Sequence, residues 1–389
     1  GPPAPPAIGD LLRCAVEEAA AEALGAGTAT TAEAARAHLT GSQLYRAALP
    51  GSDTDVLLEL SAPARAALLP PAAAQGPLAP KDGARLASLR ALLALRRHLE
   101  GEGGGGRWEV LEMVLDAKTP TLHLRFLRAP GLGEVVEISF DQGLAAVRKS
   151  ELLARCAGQD PRPMQLARLL RLWARGRGIE GQRRGYPSGY AMCLMAVFYC
   201  QCRGMMGSLR PRSREEVSAF APPPDGTSGT WRPRRAAALE VLSADVADLL
   251  PGLFAFYTHE FDWQREAVDV VRGRRTPRRD SSSPCLDVGL NAPPSSWSSS
   301  PAPLLHAFLS IQDPVEEGAD LALPYMSGRR ATRLRAEFRR ADRCLRMLGP
   351  EEGWEAARRP RAGQAAAGRV SALAAAVPAG ALDRSGPTR

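Results

Sequence analysis

Near residue 150 the hydrophobic pattern of the chain changes period, and that change limits the folds open to it. Before it, strand-like segments interleave with helical ones; after it, nearly every patterned segment repeats at the helical period. Residues 54–60 (Thr-Asp-Val-Leu-Leu-Glu-Leu), 107–115, 120–127 and 134–140 read as strands. The last is the firmest, because Val-Val-Glu-Ile-Ser-Phe is rich in β-branched and aromatic residues. Ile8, Leu11, Leu12, Val16 and Ala19 share one face of a helix over 8–25. A second helical start follows Thr31, with Glu33 in its first turn, and a third helix covers 83–100, ended by Gly101 and the Gly103–Gly106 run. Beyond the change, helices are expected near 150–157, 163–177, 187–203, 213–219, 235–258, 262–271, 302–311 and 331–347. A length of 389 residues allows two or three domains. The expectation is a two-lobed α+β fold: a mixed β-sheet domain over 1–152, a mostly helical domain over 153–350, and an Ala/Gly/Pro/Arg tail over 351–389. The Pro/Ala-rich stretch 62–80 reads as a connection, and 221–230 and 273–303 as loops longer than a compact bundle uses. No internal repeat is visible.

Composition adds less. The 45% hydrophobic and 24% charged content is that of a globular protein, which excludes a disulfide miniprotein or a disordered tail. The formal charge is +8, and of 50 basic residues only Lys81, Lys118 and Lys149 are lysines, which leaves 47 arginines. Either mutational bias in a GC-rich gene or a phosphate-holding surface produces such a balance. The seven cysteines are odd in number and include no Cys-x-x-Cys, and the five histidines are scattered. Free thiols in a reducing compartment are therefore expected, and a zinc site is not. The longest apolar run, Ala191 to Cys200, is half a membrane span, so no membrane partner is expected. The opening Gly-Pro-Pro-Ala has no basic stretch followed by an apolar one and reads as a trimmed start, in which any transit peptide would be missing.

The most informative stretch runs from Gly41-Ser42 to Gly51-Ser52-Asp53-Thr54-Asp55. Strand alternation places residues i and i+2 on one face, about 7 Å apart at Cα. Asp53 and Asp55 at the mouth of a strand suit a pair of Mg²⁺ or Mn²⁺ ions, which take hard oxygen ligands together with substrate phosphates. The Gly41-Ser42 turn would offer backbone N–H groups and a hydroxyl to those phosphates. The same residues also suit a surface turn with capping aspartates. Glu137, a charge in an otherwise apolar strand, is a candidate third carboxylate or an exposed edge position, and Asp141 on the same face is an alternative to it.

In order, Gly41-Ser42, Asp53-x-Asp55 and Glu137-Ile-Ser-Phe resemble the nucleotidyltransferase superfamily shared with DNA polymerase β. More narrowly they resemble its RNA-tailing branch, the terminal uridylyltransferases and poly(A) polymerases. The likeness continues through 166–179 (Leu-Ala-Arg-Leu-Leu-Arg-Leu-Trp-Ala-Arg-Gly-Arg-Gly-Ile), 185–195, 254–263 and 311–316. It covers about 280 residues and is most similar in wording to the trypanosomal mitochondrial uridylyltransferases that work in RNA editing.

The resemblance implies a catalytic domain followed by a helical poly(A)-polymerase-associated domain. It implies Asp53, Asp55 and Glu137 as metal ligands, with Glu137 helping to deprotonate an RNA 3′-hydroxyl; the family usually has Asp there. It assigns Gly41, Ser42 and Ser52 to the UTP triphosphate, together with Arg171 and Arg175, which replace two family lysines. Lys149 and Ser150 stand where the family contacts ribose and uracil. Tyr190 would stack on the base. Ser188 would bond a ribose or base oxygen, although the family's serine is one place later, at Gly189. Asp313 and Glu316 would accept from uracil N3–H; a helix N-cap at Asp313 is the plainer reading. Arginines over 270–279 and 329–340 would follow RNA phosphates or line solvated faces. The implied activity is template-independent addition of UMP from UTP to single-stranded RNA, in the mitochondrial matrix or the cytoplasm, with an RNA-editing complex as partner. An ATP-using poly(A) polymerase and a non-catalytic RNA-binding subunit on the same fold are the alternatives.

Overall fold

Every second residue of 56, 58 and 60, and of 136, 138 and 140, is apolar and buried, and these two rows floor the first of two compact units. The computed structural model describes residues 8–24, 35–69, 80–101, 106–115, 119–127, 135–140, 144–218, 244–277, 309–322 and 326–359. Contacts divide the chain into a unit of 1–158 with 211–236 and a unit of 159–210 with 237–389.

In the first unit, α1 (Ile8–Ala23) precedes β1 (Ala35–Thr40), the short α2 (Gly41–Leu44), β2 (Thr54–Leu60), α3 (Ala62–Leu68), α4 (Pro80–Glu100), β3 (Trp108–Val114), β4 (Thr121–Phe126), β5 (Val136–Phe140) and α5 (Ala145–Gln159). The five strands form one mixed sheet in the order β1-β2-β5-β4-β3. Only the β2–β5 pair is parallel; the others are antiparallel. One face packs Val56, Leu58, Leu60, Leu122, Leu124, Val136, Ile138 and Phe140 against Val16 and Ala20 of α1 and Ala91, Leu92, Leu95 and Leu99 of α4. The other face carries Leu57, covered by Leu144, Val147 and Val217, the last from α8 (Arg214–Ser218). Alternation puts Asp55 and Glu137 on this second face, away from the main core.

The second unit contains α6 (Arg162–Arg177), α7 (Gly189–Cys202), α9 (Ala244–Ala255) with a π-helical turn at Phe256–Glu260, and α10 (Gly328–Arg358), kinked at Gly349. A small sheet of β6 (Glu266–Val268), β7 (Thr276–Pro277) and β8 (Ser310–Ile311) completes it. Residues 191–201 of α7 are buried all round, as a helix enclosed by its neighbours must be. Trp173 sits edge-on to Phe254 and Phe338, each at 4.9 Å between ring centres. Two of the buried polar ends bond to the backbone: Tyr257 Oη donates to Met195 O at 2.8 Å, and Trp263 Nε1 donates to Tyr257 O at 2.6 Å. Arg177 and Glu337 form a bidentate ion pair with side chains only 4% and 2% exposed.

Several sequence expectations fail. The helical start expected after Thr31 falls at 31–34, outside the described residues, and 35–40 is the strand β1, with Ala35, Ala37 and Thr40 buried in register with β2. The segment 262–271 is a turn followed by β6, not a helix; Asp262 Oδ1 accepts from the N–H groups of Gln264 and Arg265, and β6 pairs with β8. Ser310 and Ile311, expected at a helix end, are that strand. Within the Pro/Ala-rich connection, Ser61 Oγ accepts from Ala64 N–H and starts α3. The loop at 221–230, the tail beyond 359, and all of 235–243 and 278–308 lie outside the described residues.

Candidate active site

The first-unit residues converge on the ends of β1 and β2. Asp55 is the register partner of Thr40 on one side and of Glu137 on the other, and Glu137 is in turn opposite His123 of β4. Thr40, Asp55, Glu137 and His123 therefore form one row across four strands. Thr40 Oγ1 donates to Asp55 O at 3.4 Å, and His123 Nε2 lies 3.5 Å from Glu137 Oε2. Asp53 stands just ahead of β2, half-buried, one alternation from Asp55. Asp141, the alternative third carboxylate, lies outside the described residues.

Gly41 follows β1 with φ of +74°, in the left-handed region that favours glycine. A β-carbon there would lie 1.6 Å from Asp55 Oδ2, so the residue is required twice over. Its N–H donates to Ser150 Oγ at 2.9 Å, and Ser150 Oγ donates to Ala146 O at 2.7 Å. The sequence reading gave Gly41 N–H to a phosphate and Ser150 to a nucleoside. In this arrangement the two groups bind each other, and the serine anchors the turn. Ser42 is buried in α2, and its carbonyl accepts from Ala47 N–H at 3.0 Å. Ser52 closes the loop ahead of Asp53: its Oγ accepts from Leu49 N–H at 3.0 Å, and its own N–H donates to Leu49 O at 2.9 Å. Lys149 is half-buried on α5.

Asp55 and Glu137 are carboxylates at adjoining register positions of one sheet face, with Asp53 just ahead of β2, and these are oxygen donors of the kind a hard divalent cation takes. Among the described residues, no group of three or more His, Cys, Asp and Glu side chains is gathered to hold an ion.

The remaining candidates belong to the second unit. Arg171 and Arg175, one helical turn apart on α6, both hold Glu180: Arg171 Nε donates to Oε1 at 2.9 Å and Arg175 Nε to Oε2 at 2.6 Å. Ser188 is the N-cap of α7, where its Oγ accepts from Ala191 N–H at 3.2 Å, and Tyr190 is half-buried in the first turn. Asp313 is buried, and its Oδ1 accepts from the N–H groups of Val315 and Glu316 at 2.9 and 3.2 Å. Asp313 N–H donates to Ala319 O, which closes a loop over 313–319. Asp313 thus caps a turn, close to the plainer sequence reading, with a loop where a helix was anticipated. Glu180, His123 and Thr40 escaped sequence reasoning. Glu180 lies beyond the Gly178 helix stop and so has no periodic signal, and the register of His123 depends on strand pairing.

Among the described residues, no helix is long and apolar enough to cross a membrane.

Comparison with known proteins identifies the fold. Residues 245–318 match the family described as Cid1 family poly A polymerase. Terminal uridylyltransferase 1 of Leishmania tarentolae is 30% identical over 147 residues, which is 36% of this chain and 13% of that protein. Most of that relative's length therefore has no counterpart here. Terminal uridylyl transferase 4 from Trypanosoma brucei, solved with bound dUTP, superposes with a TM-score of 0.60 at 20% identity, over 87% of this chain and 93% of that one. The Cid1 poly(U) polymerase, solved with MgGTP, superposes at 0.55 and 16% identity over 90% and 93%. The chain has the two-lobed α+β nucleotidyltransferase fold of the terminal uridylyltransferases and poly(A) polymerases, and its sequence resembles theirs.

Proposed function

We propose that the chain is a template-independent RNA uridylyltransferase, which adds UMP from UTP to the 3′-hydroxyl of single-stranded RNA. The observation that supports this most is the register match of Asp55 with Glu137 beside a left-handed Gly41, in a chain similar to enzymes named for that reaction. Asp53 and Asp55 would hold Mg²⁺ or Mn²⁺, with Glu137 turning from His123 to join them. Bound there, the cations would neutralise phosphate charge and ease loss of the hydroxyl proton. The RNA 3′-oxygen attacks the α-phosphorus in line, the bond to the bridging oxygen breaks, and pyrophosphate leaves. Glu137 would help to take the hydroxyl proton.

Ser42, Ser52 and Lys149 would contact the nucleotide from the first unit, and Tyr190 would stack on the base. Base stacking tolerates any base, so selection falls to hydrogen bonds. Asp313 and Glu316 are acceptors suited to uracil, whose N3 carries a proton, and unsuited to cytosine, whose N3 does not. A mitochondrial matrix location and work beside an RNA-editing complex extend the same reading, and rest on the resemblance to trypanosomal enzymes.

The test is extension of a short RNA with Mg²⁺ or Mn²⁺ and each nucleoside triphosphate in turn. UTP-dependent extension, lost in Asp55→Ala, is expected. Extension mainly with ATP would instead make the chain a poly(A) polymerase, and no extension with any nucleotide would point to a non-catalytic RNA-binding subunit.

A further inference from the structure

The arginines of the second unit separate into two groups once their partners are traced. Arg272 is held by Asp269 at 3.5 Å and Arg275 by Glu266 at 2.9 Å, so the 270–279 cluster is partly neutralised where it stands. Within 329–340, Arg333 Nη2 donates to Arg177 O at 2.9 Å, and Arg340 donates to Ala356 O and Ala357 O. Those two are internal struts. Arg183, Arg184, Arg329 and Arg330 differ from them. All four are exposed, and among the described residues none of their side chains has a hydrogen bond or an ion pair.

Folding gathers these four from two distant segments. The turn Gln182–Arg184 ends at Gly185, whose φ of +74° reverses the chain. Arg330 lies across that glycine: a β-carbon there would meet its Cδ and Nη1 at 2.5 Å and its Cζ at 2.6 Å. One turn on, the Arg333 guanidinium sits 5.6 Å from the centre of the Tyr186 ring. The start of α10 is thereby pinned to the residues that follow Arg183 and Arg184. Like charges so gathered repel one another. Arg329 and Arg330 also stand in a first turn with no acidic residue, where the helix dipole adds to their charge. An arriving anion relieves both costs.

The surroundings decide which anion. A protein partner's interface has an apolar centre. The exposed large apolar side chains among the described residues are Leu93, Leu111, Leu115, Leu127, Met347 and Leu348, and none belongs to either segment. Arginine forks match phosphate oxygens two at a time. Ser188, three residues beyond Gly185, opens α7 with Tyr190 in its first turn, so the patch borders the place proposed for the base.

We infer that Arg183, Arg184, Arg329 and Arg330 form a track for the phosphates of single-stranded RNA upstream of its 3′ end. This rests on the RNA-tailing reading and deepens it by placing the strand that precedes the reacting end. The probe is a fluorescent oligouridylate of about 20 nucleotides, bound to the full chain without nucleotide and followed by anisotropy across a salt series. Each phosphate neutralised on a single strand contributes about −0.7 to the slope of log K against log salt. Arg183→Gln with Arg184→Gln, and separately Arg329→Gln with Arg330→Gln, should each flatten that slope by about 1.4 and weaken binding about 10–30-fold near 0.1 M salt. Thermal midpoints should change little, since all four side chains are exposed. Arg265→Gln with Arg343→Gln removes the same charge from exposed positions elsewhere in the unit and should alter the slope much less.

In extension assays, each pair should raise the KM for the oligonucleotide and leave that for UTP within about twofold. The inference is overturned if either pair leaves the slope unchanged, if the control pair weakens binding equally, if the KM for UTP rises with that for RNA, or if polyglutamate of similar length competes as well as RNA. A wild-type chain that binds the oligonucleotide with the expected slope but extends it with no nucleotide would refute transfer and leave the track standing. Extension by the wild type with variants that bind as it does would refute the track alone.

Discussion

Gly41 gives Asp55 the space its carboxylate occupies: a β-carbon on the one would fall 1.6 Å from Oδ2 of the other. Gly41→Ala must therefore either displace Asp55 or move the turn, and it also strains a backbone at φ +74°. The expected result is a loss of RNA extension of about 100-fold or more, because a misplacement near 1 Å at a reacting centre has that effect. A stability loss of about 1–3 kcal/mol should accompany it in urea titration. Wild-type extension rates in Gly41→Ala would show that Asp55 is not held for catalysis.

Glu137 offers a second test of the same row. Its carboxylate sits one methylene further from the strand than an aspartate's would, and its Oε2 lies 3.5 Å from His123 Nε2. Glu137→Asp should retain activity within about tenfold, whereas Glu137→Gln, which keeps shape but removes the charge, should lose about 100-fold or more. Single-turnover extension rates distinguish the two, and equal losses would remove Glu137 from the chemistry.

The ion pair of Arg177 with Glu337 is a stability feature of the second unit. With side chains 4% and 2% exposed, neither partner can be left alone cheaply. Glu337→Ala should cost about 3–5 kcal/mol, and the double replacement Arg177→Met with Glu337→Leu should recover much of it. Urea midpoints of the three proteins measure this. A small single-site cost would mean that water reaches the pair.

Acid should weaken the first unit through His38. Burial lowers its pKa from 6.5, outweighing the hydrogen bond to Glu59 at 3.0 Å. The folded state thus favours the neutral ring, and the unfolded state binds more protons once pH falls towards 6.5. Stability is fully present above that value and is lost as pH falls through it to the lower folded-state pKa. His38→Gln should show a shallower decline from pH 7 to 5 in thermal midpoint, and an unchanged slope would refute the assignment.

Thiol reactivity should follow burial. Desolvation pushes Cys193 up to about 12 and Cys202 up to about 11, whereas Cys14 is exposed. Maleimide at neutral pH should label Cys14 in the folded protein and reach Cys193 only after denaturation, as read by peptide mass spectrometry. Prompt labelling of Cys193 would contradict the enclosed position of α7.

What the sequence reveals differs between kinds of segment, and not between the units, for a physical reason. Strong local patterns survive: β2, β5, α4 and α7 lie where alternation or apolar runs put them, because each carries its own burial signal. Ala35–Thr40 fails because Ala-Arg-Ala-His-Leu-Thr has little strand character of its own and becomes a strand only by pairing with β2. Residues 262–271 fail likewise, since helix-forming Gln-Arg-Glu-Ala is overruled by the Asp262 turn and the pairing of Val268 with Ile311. At the candidate site, residue types were legible and their neighbours were not. Nothing local in the text relates Glu180 to Arg171, Gly189 to the same guanidinium, or Ser150 to Gly41.

The bond from Gly41 N–H to Ser150 Oγ joins residues 109 positions apart. A chain emerging from the ribosome would make β1, the turn and both aspartates long before it makes the serine that anchors them. Closing so wide a loop is costly and slow relative to local contacts. The turn beside Asp55 should therefore be among the last parts of this unit to become ordered. A nascent or truncated chain ending before α5 would carry all three carboxylates yet lack this tether, so competence would be switched on by completion of the unit.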